Sequence, residues 1–225
     1  DRRMANKTIY TISDTRIQKN NPTTNYDTVV ILYIGALNDG TDKISRALLK
    51  FNFSDIPSNA VITKAELYLY LSANGYSSNN RTYRVYRQKR DIVYTKVTWQ
   101  IYSSGNNWQT AGGFGSDDCE QTDIGAKALT SSESVGWKVL AIDNDSIQEI
   151  VSGTWGNYNL MIKADTELND ALSFHTRENT NPPYIYIEYE PRPPKIKTVN
   201  GVDIAKVKTI NGVDINKVKS IWGIQ

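Results

Sequence analysis

One histidine and one cysteine bound what this chain of 225 residues can catalyse. A Ser–His–Asp or Cys–His system would have to use His175. That residue stands where Leu172, Phe174 and Thr176 alternate with Ser173, His175 and Arg177, on the wetter face of a strand and next to Glu178. It reads as a hydrogen-bonded rim residue rather than a base. Cys119 lies in Asp117-Asp118-Cys119-Glu120. Three acidic neighbours raise a thiol's pKa, the opposite of what an activated nucleophile needs. The 24 Asp and Glu residues offer many accidental carboxylate pairs, but none stands apart as glycoside hydrolysis would require. The chain therefore reads as a non-enzyme.

Other function classes fall with the composition. A single Cys excludes an intrachain disulfide framework and a Cys-rich zinc site. A net charge of +2 gives no electrostatic reason to expect nucleic acid. No apolar run approaches the ~18 residues that span a bilayer, so membrane insertion is not expected.

Binding chemistry is better represented. The chain holds 14 Tyr and 5 Trp against only 4 Phe. A Tyr or Trp ring offers an apolar plate to a sugar face and a polar tip to orient it. Tyr68 and Tyr70 point away from the Leu67, Leu69, Leu71 side of their strand. With Arg84, Tyr86 and Arg87 they make the candidate glycan-binding set, a basic aromatic surface suited to an acidic polysaccharide. The competing role is cross-strand tyrosine packing beneath a loop or a subunit.

These side chains need a scaffold, and its period is two. Ala47, Leu49, Phe51 and Phe53 alternate with Arg46, Leu48, Lys50 and Asn52. Ala65, Leu67, Leu69 and Leu71 alternate with Glu66, Tyr68, Tyr70 and Ser72. Tyr158, Leu160, Ile162 and Ala164 do likewise, as do Ile185, Ile187 and Tyr189. Each reads as an antiparallel strand dry on one face. Further strands are expected over 29–35, 82–89, 137–142 and 172–176. The fold class is all-β, a jelly-roll β-sandwich over residues 5–190. One short helix is expected, with a capping box at Ser146-Ile147-Gln148-Glu149 and a stop at Gly153. Residues 103–134 are rich in Gly, Ser, Asn and Asp and form a long excursion; Trp108 and Phe114 argue that it is ordered.

Residues 191–194 form a Pro-rich connector. Beyond it, Lys197-Thr-Val-Asn-Gly-Val-Asp-Ile-Ala-Lys-Val207 is followed by Lys208-Thr-Ile-Asn-Gly-Val-Asp-Ile-Asn-Lys-Val218 and by a truncated third copy. Apolar β-branched residues around Asn-Gly are a strong hairpin signal. Residues 195–225 are thus read as a short C-terminal β-hairpin repeat appendage. Such hairpins cannot bury their own apolar side chains. Val199, Ile204, Ile210, Ile215 and Trp222 are assigned to assembly, with other subunits or a larger structure as the partner.

A series of weak motifs recurs in a familiar order. It includes Asp14-Thr15, Asn25-Tyr26-Asp27, Arg46-Ala47-Leu48-Leu49-Lys50-Phe51 and Ala65-Glu66-Leu67-Tyr68-Leu69-Tyr70. Val97-Thr98-Trp99, Trp155-Gly156-Asn157-Tyr158 and Leu172-Ser173-Phe174-His175-Thr176-Arg177-Glu178 follow. Over about residues 9–190 the chain resembles the DNRLRE domain family, which overlaps carbohydrate-binding module family 96 and the disaggregatase-related repeats. The resemblance implies a non-catalytic jelly roll of secreted and surface proteins, some of which bind acidic polysaccharides. It implies core positions for Trp99, Trp137 and Trp155, and it makes a structural calcium at Asp14, Asn25 and Asp27 an expectation, against the plainer use of Asp and Asn in turns. No other cofactor is implied. Met4-Ala5-Asn6-Lys7 lacks the export signal usual in that family, and the Asn-Gly tail resembles repeats on bacteriophage structural proteins. The expected setting is a virion, as a fibre, tail or capsid-decoration protein. The alternative is a secreted bacterial carbohydrate-binding or adhesive module at the cell surface.

Overall fold

A computed structural model describes residues 4–36, 43–73, 79–130, 132–156, 159–168 and 170–192, with the backbone of 198–199, 202–203, 209–210 and 213–214. The chain divides into two compact units, residues 1–191 and 192–225.

The first unit is all-β with one helix. Its strands are β1 (Ala5–Gln18), β2 (Ile31–Ala36), β3 (Ile44–Phe51), β4 (Val61–Ala73), β5 (Arg81–Arg87), β6 (Ile101–Ser103), β7 (Asn106–Asn107), β8 (Gly125–Leu129), β9 (Gly136–Ala141), β10 (Asn159–Ala164), β11 (Ala171–His175) and β12 (Tyr184–Glu190). Every pairing is antiparallel. β1 divides its length between two partners: Ala5 to Tyr10 pair with β12, and Thr11 to Gln18 pair with β3 across an irregularity between Thr11 and Ser13. β12 then pairs with β4, β4 with β11, β11 with β2, and β2 with β3, so the ladder returns to β1. β9 lies on the other side of β4, while β10, β5 and β8 extend outward from β3.

The inward positions are the ones the alternation marks. Leu49, Phe51, Leu67, Leu69, Leu71, Leu160, Ile162, Ile185 and Ile187 join one core, shared with Tyr83, Val85 and Phe174. Two strands differ from expectation. β3 and β10 are dry on both faces, because Leu48 and Met161 are covered by a second cluster of Ile17, Ile92, Tyr94, Val97, Trp99 and Trp108. Most of that cover comes from residues 92–99, to which the excursion adds Trp108; the excursion itself is pinned by Asp118. The buried Asp118 carboxylate accepts the backbone N–H of Gln109 (2.9 Å) and of Thr110 (3.0 Å), and Arg90 Nε (3.0 Å). Gly112 lets its backbone approach closely: at φ +89° it lies against Trp99, and a Cβ there would stand 2.6 Å from the indole. β8 is a strand within this stretch that the sequence pattern does not announce.

The helix α1 (Asn144–Ser152) buries Ile147, Ile150 and Val151. Its cap is not Ser146 but Asp143, whose carboxylate accepts both the backbone N–H and the hydroxyl of Ser146 at 2.8 and 2.7 Å. Ser146 occupies the third helical position. Gly153 ends the helix at φ +81°, as expected.

In the second unit, β13 (Thr198–Val199) pairs with β14 (Val202–Asp203), and β15 (Thr209–Ile210) with β16 (Val213–Asp214). The register repeats: Val199 faces Val202 as Ile210 faces Val213. Ile204, Ile215 and Trp222, the other residues assigned to assembly, lie outside the described residues.

Candidate functional site

The strand period places tyrosines on the outer face of β12, β4 and β9, and the register sets them side by side. Tyr10 stands opposite Tyr184, and Tyr184 opposite Tyr68. One step along, Tyr70 stands opposite Trp137. Directly opposed side chains on one face of an antiparallel sheet are within contact reach, and these rings touch. Tyr68 and Tyr184 stack at 4.5 Å with 10° between planes. Tyr10 packs on Tyr184 at 5.6 Å, and Trp137 meets Tyr184 at 5.1 Å and Tyr70 at 5.3 Å, edge to face. The band ends on β11, where the His175 ring lies 4.6 Å from that of Tyr70.

This face is accessible. Tyr10 is 55% exposed and Trp137 40%, so Trp137 leaves the core position that the family resemblance implies. The reason is register: Lys138 and Leu140 are the inward residues of β9, leaving Trp137 outside. Trp99 is buried as expected, and Trp155 is partly buried beneath Arg87.

Polar groups along the band are weakly charged in sum. The Tyr68 hydroxyl donates to Glu66 (2.9 Å) and that of Tyr186 to Glu188 (3.2 Å); Lys64 pairs with Glu66. Burial, and then the Glu66 carboxylate, push the Tyr68 hydroxyl up to about 12, so it stays a donor. Burial lowers His175 below its ordinary value, and its Nδ1 has no hydrogen-bond partner among the described residues. Its ring packs on that of Tyr70 as one more member of the band.

The five glycan candidates do not form one surface. Tyr68 and Tyr70 lie in the aromatic band. Arg84, Tyr86 and Arg87 lie on β5, and two of them are buried: Tyr86 packs on Phe114 at 4.8 Å, and Arg87 sits 4.0 Å over Trp155. Arg87 Nε and Nη2 fork onto Glu120 at 2.8 and 2.9 Å, and its Nη1 bonds Glu149 at 2.6 Å. Arg84 is engaged with Asp123 at 3.1 Å. Tyr10, Tyr184, Trp137 and His175 complete the band instead. Tyr184 carries the same alternation signal as Tyr68, whereas Tyr10 needed β1 to be recognised as a strand.

The calcium candidates are placed as follows. Asp14 is buried, its Oδ2 accepting the Arg177 N–H at 2.8 Å and its Oδ1 having no hydrogen-bond partner among the described residues. Burial raises its carboxyl to about 7. Asn25 is committed elsewhere: its Nδ2 donates to the carbonyls of Tyr94 and Val97, both at 2.7 Å, and its Oδ1 accepts the Asp27 N–H at 3.2 Å. Asn25 thus staples the 19–30 turn region to the segment that follows β5. Among the described residues no three of His, Cys, Asp and Glu are gathered as metal ligands. Asp27 lies near enough to Asp14 for its like charge to add to the rise of that carboxyl.

Cys119 is fully buried, and burial, more than its acidic neighbours, pushes its thiol up to about 12.

The family model of the disaggregatase related repeat domain matches residues 14–184, well over half of the chain. No curated protein matches it.

Proposed function

The chain belongs to the disaggregatase related repeat family, and from that premise we propose that it is a non-enzymatic glycan-contacting protein, its β-body a DNRLRE-like jelly-roll sandwich and its repeat tail an attachment device. What carries the reading is the aromatic band of Tyr10, Tyr184, Tyr68, Trp137, Tyr70 and His175, which runs unbroken over one sheet face. A row of adjoining rings matches a row of sugar faces, each ring covering apolar C–H surface. Two observations support the non-catalytic half of the reading: the one histidine packs on the Tyr70 ring with its basicity lowered by burial, and the one thiol is buried. The switch of β1 between two partners and the one-sided burial of β4 and β12 support the jelly-roll reading. The setting we favour is a virion, as a fibre, tail or decoration protein; a bacterial surface module is the alternative.

Affinity electrophoresis of the full chain through gels containing neutral and acidic polysaccharides tests the band. Retardation is expected in at least one gel. Trp137→Ala and Tyr68→Ala should each weaken it several-fold, because an aromatic contact contributes about 1 kcal/mol. Mobility unchanged in every gel, or retardation indifferent to both substitutions, would overturn the reading.

A further inference from the structure

Three guanidinium groups of this protein share one arrangement and differ in one respect. Arg46 lies 4.9 Å over the Trp99 ring, and its Nη1 donates to the Gly112 carbonyl at 2.7 Å. Its Nε and Nη2 fork onto Glu167 at 2.8 and 2.7 Å. Arg87 repeats this over Trp155, with Nη1 on Glu149 and the Ser146 carbonyl and the Nε–Nη2 fork on Glu120. Arg16 is built the same way. Its Cζ lies between the rings of Tyr26 (4.5 Å) and Tyr33 (4.8 Å), and its Nη1 donates to the Ile31 carbonyl at 2.7 Å. Its Nε–Nη2 edge, however, has no protein acceptor: Nε is buried with no hydrogen-bond partner, and no carboxylate pairs with the group among the described residues. Each arginine from Arg46 to Arg177 in the described body has such a partner.

A desolvated, oriented guanidinium lacking an anion is costly to hold. Its planar fork matches a carboxylate in both oxygens, as Glu167 and Glu120 demonstrate in this same chain. The two tyrosine rings fix the plane, so little orientational freedom is left to lose on binding. We propose that Arg16, clamped by Tyr26 and Tyr33, is the binding site for a carboxylate of the ligand.

The clamp adjoins the aromatic band. β2 and β11 place Ile31 opposite His175 and Tyr33 opposite Ser173, so Ile31, Tyr33 and His175 share one face of that pair. His175 packs on Tyr70, and the band continues from there. The site thus joins rings that cover sugar faces to a cation that takes an acid group at one end. In this form the inference rests on the glycan reading. The clamp itself is tested independently of it. Tyr26 is carried by the turn-rich segment between β1 and β2, and Tyr33 by β2 itself.

The experiment follows the Arg Nε–Hε resonances of the ¹⁵N-labelled full chain during titration with sodium glucuronate, sodium acetate and glucose. The Arg16 signal is assigned by its loss in Arg16→Lys, which keeps the charge but not the fork. The expected result is a saturable shift of that one signal with glucuronate and none with glucose. A shift with acetate as well means that the carboxylate alone is recognised; a shift with glucuronate only means that the sugar ring is read too. Either outcome supports the clamp. No shift with either anion overturns it, whatever happens at the band. If oligogalacturonate and its methyl ester both bind, the acid form should bind about tenfold tighter, as a charge-assisted pair implies. Arg16→Lys should erase most of that ratio, and Arg16→Gln all of it. Trp137→Ala should weaken both forms equally and leave the ratio intact, so failure of the band and failure of the clamp are separable.

Discussion

At the scale of single residues, Asp14 has an energetic consequence that can be measured. Its carboxyl is buried on β1, holds one N–H bond from Arg177, and has its proton affinity raised by burial and by Glu178 and Asp27 nearby. The folded state therefore binds this proton more tightly than the unfolded chain does. Stability from this site is greatest below the ordinary carboxyl value, falls as pH rises toward about 7, and is level above it. A tenfold change in proton affinity corresponds to about 1.4 kcal/mol, so the loss amounts to a few kcal/mol. His175 works in the opposite sense, since its lowered value costs stability as pH falls through the ordinary histidine range. The clean measurement is thus a difference: urea midpoints of the protein and of Asp14→Asn at pH 4.5 and pH 8. The variant keeps an amide oxygen for the Arg177 N–H, and it should gain relative to the unsubstituted protein as pH rises. Parallel pH profiles for the two proteins would show that Asp14 ionises normally.

At the scale of elements, the helix start is decided by a carboxylate that a motif scan passes over. Asp143 satisfies the Ser146 N–H and hydroxyl together, so Asp143→Ala removes the cap and should cost about 1 kcal/mol in chemical denaturation. Ser146→Ala, which leaves the Asp143 bond to the backbone N–H, should cost clearly less; a larger loss from Ser146 would reverse this assignment. The same contrast explains what the sequence could disclose. β4 and β12 were legible because one face of each is dry and the other wet, and the expected strand limits fall within a few residues of those observed. β1 was not legible: in its first half Ile9 is the one large apolar residue on the inward side, beside Lys7 and Thr11, and the strand owes its order to two different neighbours. Leu48 and Met161 interrupt their polar faces for a reason that lies dozens of residues away, in Ile92, Tyr94, Val97, Trp99 and Trp108, which cover them. Likewise Tyr68 and Tyr70 could be picked out by alternation, but their partners Tyr10 and Trp137 depend on register between distant strands. Arg87 and Tyr86 pass for surface groups until Glu120, Glu149 and Phe114 are folded against them.

At the scale of the whole molecule, the repeats separate from the β-body as a unit of their own. Each hairpin pairs only two residues per strand, with valine facing valine in one copy and isoleucine facing valine in the next. Two-stranded ribbons this short do not persist alone in water, and a repeat unit gains stability when like units stack and share an apolar face. Identical register in successive copies gives every subunit the same surface at the same spacing, which favours association between chains over a unique intrachain dock. Light scattering behind a sizing column should therefore find the full chain as a defined multimer, and a chain ending at Pro191 as a folded monomer with the circular dichroism of the intact β-body. Multivalency would then matter for the aromatic band, because weak glycan contacts multiplied over linked copies raise avidity by orders of magnitude without any new contact. The full chain should accordingly be held by immobilised polysaccharide far longer than the truncated one, while the two bind short soluble oligosaccharides alike. Equal masses and equal retention at both lengths would remove assembly from the tail and leave its apolar residues to a different partner.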